Sequence, residues 1–414
     1  MTERTTLNVQ QLGAQGDGLA MTEAGPVFIS GVLPGERVLV ELADGRGRAI
    51  EILDRSPQRT EPSCRHFGAC GGCTAQHMAP ALYRDWKREM VRTAFAHRGL
   101  DPLIEEILTV PAASRRRATF AARRTVSGLV LGFHEEGSHR LVDLHACPVM
   151  LPQIEKALPA LRAIADAVLP PGPSEPIRLG LTAATEGLDL ALADLPGKID
   201  ATAQALIADT ATRTGIVRVT AGNNLVMQST VPHLTIGGAR VALPPASFAQ
   251  ATREAEEAIA AVLAEATRKA KRIADLFCGL GTFTFGLARR ARVLAVDSER
   301  PAIDALAAAA RATPGVKPVE TKLRDLMREP LSRMELADFD AVVLDPPRAG
   351  AKAQAEVLAR SKVPIVCAVS CNPATLARDC RIMVDGGYAI ERVVPIDQFL
   401  WSAHVEAVAV LRRP

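Results

Sequence analysis

From Arg272 onward the chain alternates short apolar runs with helix-forming stretches, and that alternation leaves few folds open. The runs at 272–277, 293–296, 341–344 and 363–369 are mostly apolar rather than strictly alternating, as strands buried on both faces are. Separated by helices, such strands predict a doubly wound parallel α/β sheet. A sequence of 414 residues exceeds one ordinary core, so this sheet is expected to share the chain with other domains.

The first 56 residues predict a small all-β unit. A strand at 38–42 follows the turn Pro34-Gly35, and Asp44-Gly45 signals a hairpin before a second strand at 48–53. Gly13, Gly16 and Gly18 punctuate the start, as bends in a small barrel do. Residues 57–240 read as a mixed α+β unit, with a helix at 82–98, strands at 118–124 and 130–134, and a proline-rich loop at 169–173. Residues 241–414 form the third unit, opening with an alanine-rich helix at 251–268.

Three motifs in that last unit carry chemistry. Gly279-Leu280-Gly281 lies between a strand and a helix, where glycines let the backbone approach a ligand at a helix N-terminus. Asp297 ends the next strand, placed to take both hydroxyls of a ribose. Thr284 stands where a dinucleotide fingerprint has its third glycine, and with Asp275 ahead of the loop this favours S-adenosylmethionine. Asp345-Pro346-Pro347 and Ser370-Cys371-Asn372-Pro373 each follow an apolar strand, so both are expected side by side above the carboxyl edge of the sheet. Glu406 interrupts an otherwise apolar strand, which burial penalises unless the carboxylate has a partner or a task. A thiolate suits addition to an electron-poor ring, and a carboxylate suits removal of a ring proton; the set points to methyl transfer to carbon.

With these motifs, the chain resembles the RNA 5-methyluridine methyltransferase family over its whole length. The resemblance implies a Rossmann-like methyltransferase domain at 241–414, a TRAM-like (OB-like) β-barrel that binds RNA at 1–56, and a central domain between them. It implies Cys371 as the nucleophile toward C6 of uracil and Glu406 as the base that removes the C5 proton. It further implies cofactor contacts from Gln250, Phe277, Thr282, Asp297, Asp325 and Asp345, beside Gly279 and Gly281. Thr252, Thr282, Asp297 and Asp325 depart from residues common in the family, and all four keep polar character.

Cys64, Cys70 and Cys73 lie together in a glycine-rich stretch, and Cys147 precedes Pro148. Four thiolates hold either zinc or a cubane cluster; three close cysteines and one remote Cys-Pro are nearer to iron–sulfur spacing. The resemblance implies a [4Fe–4S] cluster and the subset of the family that acts on 23S ribosomal RNA. His66 and His77 are competing zinc ligands by position, and Cys278, Cys367 and Cys380 read as inert core residues. Arg115, Arg116 and Arg117, with Arg123 and Arg124, are candidate RNA contacts on a strand. Arg84, Lys87, Arg88 and Arg92 read as a solvated helix face.

A net charge of +3 excludes a polycation, and 4% aromatics excludes broad base-stacking platforms. No apolar stretch has membrane-spanning length and the polar start 1–4 does not read as a signal peptide, so a cytoplasmic protein with no obligate protein partner is expected. Two alternatives stay open: a transfer-RNA uridine as substrate, and a non-catalytic RNA-binding or ribosome-assembly factor. An amino methyltransferase is disfavoured, because Arg348 rather than an aromatic residue follows the paired prolines.

Overall fold

The computed structural model describes residues 3–43 and 46–414; the expected Asp44-Gly45 turn and the first two residues lie outside the described residues. Three large sheets and one two-stranded hairpin organise the described residues.

The first sheet has six strands, from Glu3–Asn8 to Arg46–Asp54. In Arg37–Ala43 the side chains alternate, with Val38 and Val40 turned inward onto Val9, Ala20, Val27, Ile29 and Val32. The sheet curls tightly enough that a Cβ on Gly18 would sit 2.5 Å from Val32 Cγ2 and 2.7 Å from Val9 Cγ1. That close approach is why a residue without a side chain stands there.

The second sheet has seven strands running from Leu141–Asp143 to Asn224–Gln228, largely antiparallel. Its parallel pair, Leu188–Ala193 with Ile216–Ala221, is bridged by the helix Ala201–Thr214. Asp200 caps that helix by accepting the Ala203 N–H, and Gly215 ends it at φ +72°. Strand Arg117–Thr125 sits inside this sheet, so its alternate side chains Ala118, Phe120 and Ala122 enter the core.

The third sheet has eight strands, in the order Val319–Leu323, Arg292–Asp297, Arg272–Leu276, Ala341–Leu344, Ile365–Ser370, Glu406–Arg412, Ala389–Asp397 and Leu108–Thr109. The first five are parallel, and Glu406–Arg412 runs antiparallel between Ile365–Ser370 and Ala389–Asp397. Apolar clusters cover both faces, as the continuous apolar strands require. Strand order reverses between Arg272–Leu276 and Ala341–Leu344, and the carboxyl ends of this pair form the crevice where such sheets bind ligands.

Packing divides the chain differently from the sequence at two places. Helix Pro80–Ala96 and strand Leu108–Thr109, expected in the central unit, lie against the third sheet: Val91, Phe95, Ile104 and Ile107 share a core with Val393 and Val405. The hairpin of His233–Ile236 and Ala239–Ala242 likewise packs its apolar side on Phe285 and Leu306. No helix is long and apolar enough to cross a membrane among the described residues.

Candidate active site

Strand Arg272–Leu276 leads into Phe277, which adopts φ +62°, a left-handed backbone rare for a bulky residue. Gly279 and Gly281 follow at φ +53° and +88°. A side chain at 281 would meet Phe285 Cε2 at 2.7 Å, whereas one at 279 would project into open space. The loop is therefore packed from below and left clear above, where a ligand would lie. Asp297 holds this shape: its carboxylate accepts the N–H of Gly279 and that of Glu299, each at 2.9 Å. Thr284, in the place of the third glycine, donates its hydroxyl to Asp275. The other Asp275 oxygen has no partner among the described residues, and burial pushes this carboxyl up to about 7. Thr282 is half-buried on the same loop. Asp325 lies exposed on a turn beyond the edge strand Val319–Leu323, where it accepts the Met327 N–H at 3.0 Å.

Asp345, Cys371 and Glu406 meet at the carboxyl edge. Asp345 follows the buried strand Ala341–Leu344, and the parallel register sets it and Asp297 on opposite sides of Phe277. In Ser370-Cys371-Asn372-Pro373 each flanking residue has a local task. Ser370 Oγ accepts the Asn372 N–H at 3.1 Å, Asn372 caps helix Pro373–Asp385 through the Ala374 N–H, and Pro373 opens that helix. Cys371 is left half-buried at the pivot between strand and helix. The antiparallel register pairs Ser370 with Ala407, so the next position on each strand sets Cys371 beside Glu406.

Glu406 is buried, and its partner is neither Arg nor Lys but the Gln398 side-chain amide. Gln398 Nε2 also donates to Gln250 Oε1 at 3.0 Å, and Gln250 Nε2 donates to Asp345 Oδ2 at 3.1 Å. Two glutamines thus join the acid of the cofactor edge to the candidate base. Burial, with the neighbouring Asp345 charge, holds the Glu406 carboxyl above its ordinary value; Asp345 is raised by burial and by Asp275 and Asp297. Burial and the Glu406 and Asp345 charges push the Cys371 thiol up to about 11, and the Arg348 guanidinium opposes that rise. An acidic, partly dry crevice of this kind favours a cationic ligand. Gln398 escaped the sequence reading; a lone amide closing the apolar end of strand Ala389–Asp397 was its only signal.

A cleft of about 770 Å³ opens beside this edge, reaching from Gln250, Gln398 and His404 to Cys64, Cys70, Cys73 and Cys147. The four cysteines are half-buried; burial and the neighbouring thiols push Cys73 up to about 12. Among the described residues no group of three or more His, Cys, Asp or Glu is gathered so as to hold a metal ion. His66 Nε2 faces the His145 N–H at 3.3 Å, and burial lowers His77 to about 4, leaving it neutral. Cys278, Cys367 and Cys380 are buried in the core.

The arginine run separates by location. Arg115 and Arg117 line the cleft, Arg117 lying 5.1 Å from the Phe248 ring centroid. Arg116 does not line the cleft: it is buried, ion-paired with Glu256, and donates to the Gln250 carbonyl at 3.0 Å. Arg124 is spent on Asp166 and the Pro170 carbonyl. On helix Pro80–Ala96, Arg88 and Arg92 pair with Glu106 and Glu89 near the surface, but Lys87 is fully buried, contrary to a solvated face. Alternation along the strand sends residue 116 inward, and helical position 87 falls on the side facing the third sheet.

The tRNA (uracil-5-)-methyltransferase family model matches residues 241–414. An uncharacterized RNA methyltransferase of Agrobacterium fabrum is 44% identical over 414 residues, covering 99% of each chain. A second, from Rhizobium meliloti, is 46% identical with the same coverage. The 23S rRNA (uracil(1939)-C(5))-methyltransferase of Edwardsiella ictaluri is 35% identical over 96% of this chain and 93% of its own. The crystal structure of Pyrococcus abyssi tRNA (uracil-54, C5)-methyltransferase with S-adenosyl-L-homocysteine aligns at a TM-score of 0.75 and 22% identity, covering 98% of this chain and 99% of that one, which is a likeness of fold. Because the likeness runs the length of the chain and not the cofactor half alone, the protein belongs to the S-adenosylmethionine-dependent RNA (uracil-5-)-methyltransferase family.

Proposed function

We propose that the protein methylates C5 of a uridine in large-subunit ribosomal RNA through a transient bond from Cys371 to C6 of the base. The observation that carries the covalent route is the register of Ile365–Ser370 with Glu406–Arg412, which sets a thiol and a buried carboxyl side by side within reach of one ring. S-adenosylmethionine, when bound over the Gly279–Gly281 loop, supplies a methyl group on a cationic sulfur. The open space above Gly279 and the Asp275 oxygen that has no partner among the described residues fit such a ligand.

Cys371 gives up its proton to water and its sulfur bonds to C6, moving the C5–C6 π electrons toward C5 and O4. The C5 electron pair would then bond to the methyl carbon as the sulfonium–methyl bond breaks, its pair leaving on the sulfur of S-adenosylhomocysteine. The Glu406 carboxylate removes the remaining C5 hydrogen; the freed electron pair rebuilds the C5–C6 double bond, and the C6–S bond breaks to return the thiolate. Gln398 fixes the Glu406 carboxylate, and Arg348 favours the thiolate form of Cys371.

Ribosomal RNA is favoured over transfer RNA by the full-length similarity to the 23S enzyme of Edwardsiella ictaluri. The cysteine set is read with the same assignment: Cys64, Cys70, Cys73 and Cys147 line one cavity. A [4Fe–4S] cluster on these residues would serve as a cross-link between the 64–73 segment and Cys147. The experiment is trapping with 5-fluorouridine RNA, whose C5 fluorine cannot be removed as a proton. Wild-type protein forms a covalent adduct that survives denaturation, and Cys371→Ala forms none; an adduct in the variant rejects the assignment. Mapping 5-methyluridine in ribosomal and transfer RNA from cells with and without the gene tests the substrate.

A further inference from the structure

Lys87 is the least expected charge in the molecule. It lies on helix Pro80–Ala96 with no exposed side-chain surface, and so does its partner Asp397 at the end of strand Ala389–Asp397. Its ammonium has three protons and three acceptors: Asp397 Oδ1 at 2.8 Å, the Phe399 carbonyl at 3.2 Å, and the His404 carbonyl. Those acceptors stand at both ends of the loop 397–404, so one buried cation draws the loop closed. Tyr83, one turn earlier on the same helix, donates its hydroxyl to Asp397 Oδ2 and accepts the Trp401 N–H at 2.8 Å. Trp401 sits at φ +59°, and its carbonyl accepts the N–H groups of Thr74 and Ala75 at 2.7 and 3.0 Å, beside Cys73.

This loop carries Gln398, the residue that holds Glu406, and it leads directly into Glu406 itself. A buried ion pair is weak evidence for stability, since two desolvated charges seldom do better than apolar packing. A role in fixing geometry accounts better for charge placed so close to the site. We propose that Lys87, with Tyr83 and Asp397, forms a latch that positions Glu406 for removal of the C5 proton, making Lys87 and Tyr83 positioning residues for the last chemical step. The inference rests on the assignment of Glu406 as the base.

The latch predicts a specific defect. If Glu406 is misaligned, attack by Cys371 and methyl transfer still proceed, but the C5 proton stays, the C6–S bond does not break, and ordinary RNA remains attached to the protein. The test uses full-length protein, unmodified substrate RNA and S-adenosylmethionine, with attached RNA read on a denaturing gel. Glu406→Gln is the reference and accumulates attached RNA. The double variant Lys87→Met/Asp397→Asn, which strands no charge, is expected to accumulate attached RNA as well. Its turnover falls about a hundredfold, as a catalytic group displaced by about an ångström costs, and KM for RNA falls with it so that kcat/KM is nearly kept, because the slow step now follows the covalent complex. Tyr83→Phe keeps the ion pair and serves if the double variant does not fold; losing the hydrogen bonds to Asp397 and from the Trp401 N–H, it shows the same accumulation with turnover slower by about tenfold or more. Accumulation in Glu406→Gln but not in the Lys87 or Tyr83 variants overturns the latch and leaves the base assignment standing. No accumulation in Glu406→Gln overturns both.

Discussion

Replacing Arg116 by Met separates a structural arginine from an RNA-binding one. Arg116 and Glu256 are 6% and 5% exposed, and the guanidinium also holds the Gln250 carbonyl at 3.0 Å. Removing one member of a buried pair leaves an uncompensated charge and is destabilising by about 3–5 kcal/mol. Burial already raises the Glu256 carboxyl while Arg116 opposes the rise; with Arg116 gone the largest lowering influence is lost and the carboxyl is raised further. A carboxyl raised above its unfolded value contributes stability at low pH and loses it as pH rises through the folded value. The deficit of Arg116→Met is therefore smallest near pH 5 and grows toward pH 8. Because the chain contains several cores, hydrogen exchange of the 250–256 segment is a better measure than one melting temperature. Arg116→Met/Glu256→Leu should recover most of the stability. A stable Arg116→Met protein whose RNA affinity drops, with a shallower salt dependence, would refute this account and return Arg116 to the RNA surface.

The two arginines left on the cleft carry the opposite expectation. Arg115→Glu and Arg117→Glu should each weaken RNA binding and reduce the salt slope by about one for every phosphate left unneutralised, leaving S-adenosylhomocysteine affinity unchanged in calorimetry. The acidic crevice makes cofactor binding pH-dependent. Asp275, raised to about 7, and Asp345, raised by burial and like charge, ionise more readily beside a cation, so affinity for S-adenosylmethionine should climb between pH 6 and pH 8. The gain is up to about tenfold per pH unit for each carboxyl that must ionise, and the uncharged sulfur of S-adenosylhomocysteine should show a shallower rise. Cys147→Ser should lower iron and sulfide in anaerobically purified protein and increase hydrogen exchange in the 64–75 segment, while S-adenosylhomocysteine binding persists; equal iron in variant and wild type would exclude Cys147 as a ligand.

What the sequence disclosed of this fold was local. The apolar runs around Ala341–Leu344 and Ile365–Ser370 mark buried parallel strands, and the turns after them place Asp345 and Cys371 without knowledge of anything distant. Glu406 was legible because a charge breaks an apolar strand. Lys87, Gln398 and Arg116 were not legible, since each is defined by a partner far along the chain: Asp397 for Lys87, Gln250 for Gln398, Glu256 for Arg116. A basic residue on a helix or strand carries no local mark of whether it will be buried. The same limit applies to helix Pro80–Ala96, whose apolar face was visible but whose destination on the third sheet was not.

The placement of strand Glu406–Arg412 between two strands that precede it in the chain has a consequence for damaged or incomplete copies. A polypeptide broken before residue 406 would lose the middle of the sheet rather than its rim. Strands Ile365–Ser370 and Ala389–Asp397 would then each present a bare hydrogen-bonding edge next to exposed valines, a template for sticking to other chains. Such fragments would be cleared or aggregate instead of persisting as RNA binders that occupy the substrate without modifying it.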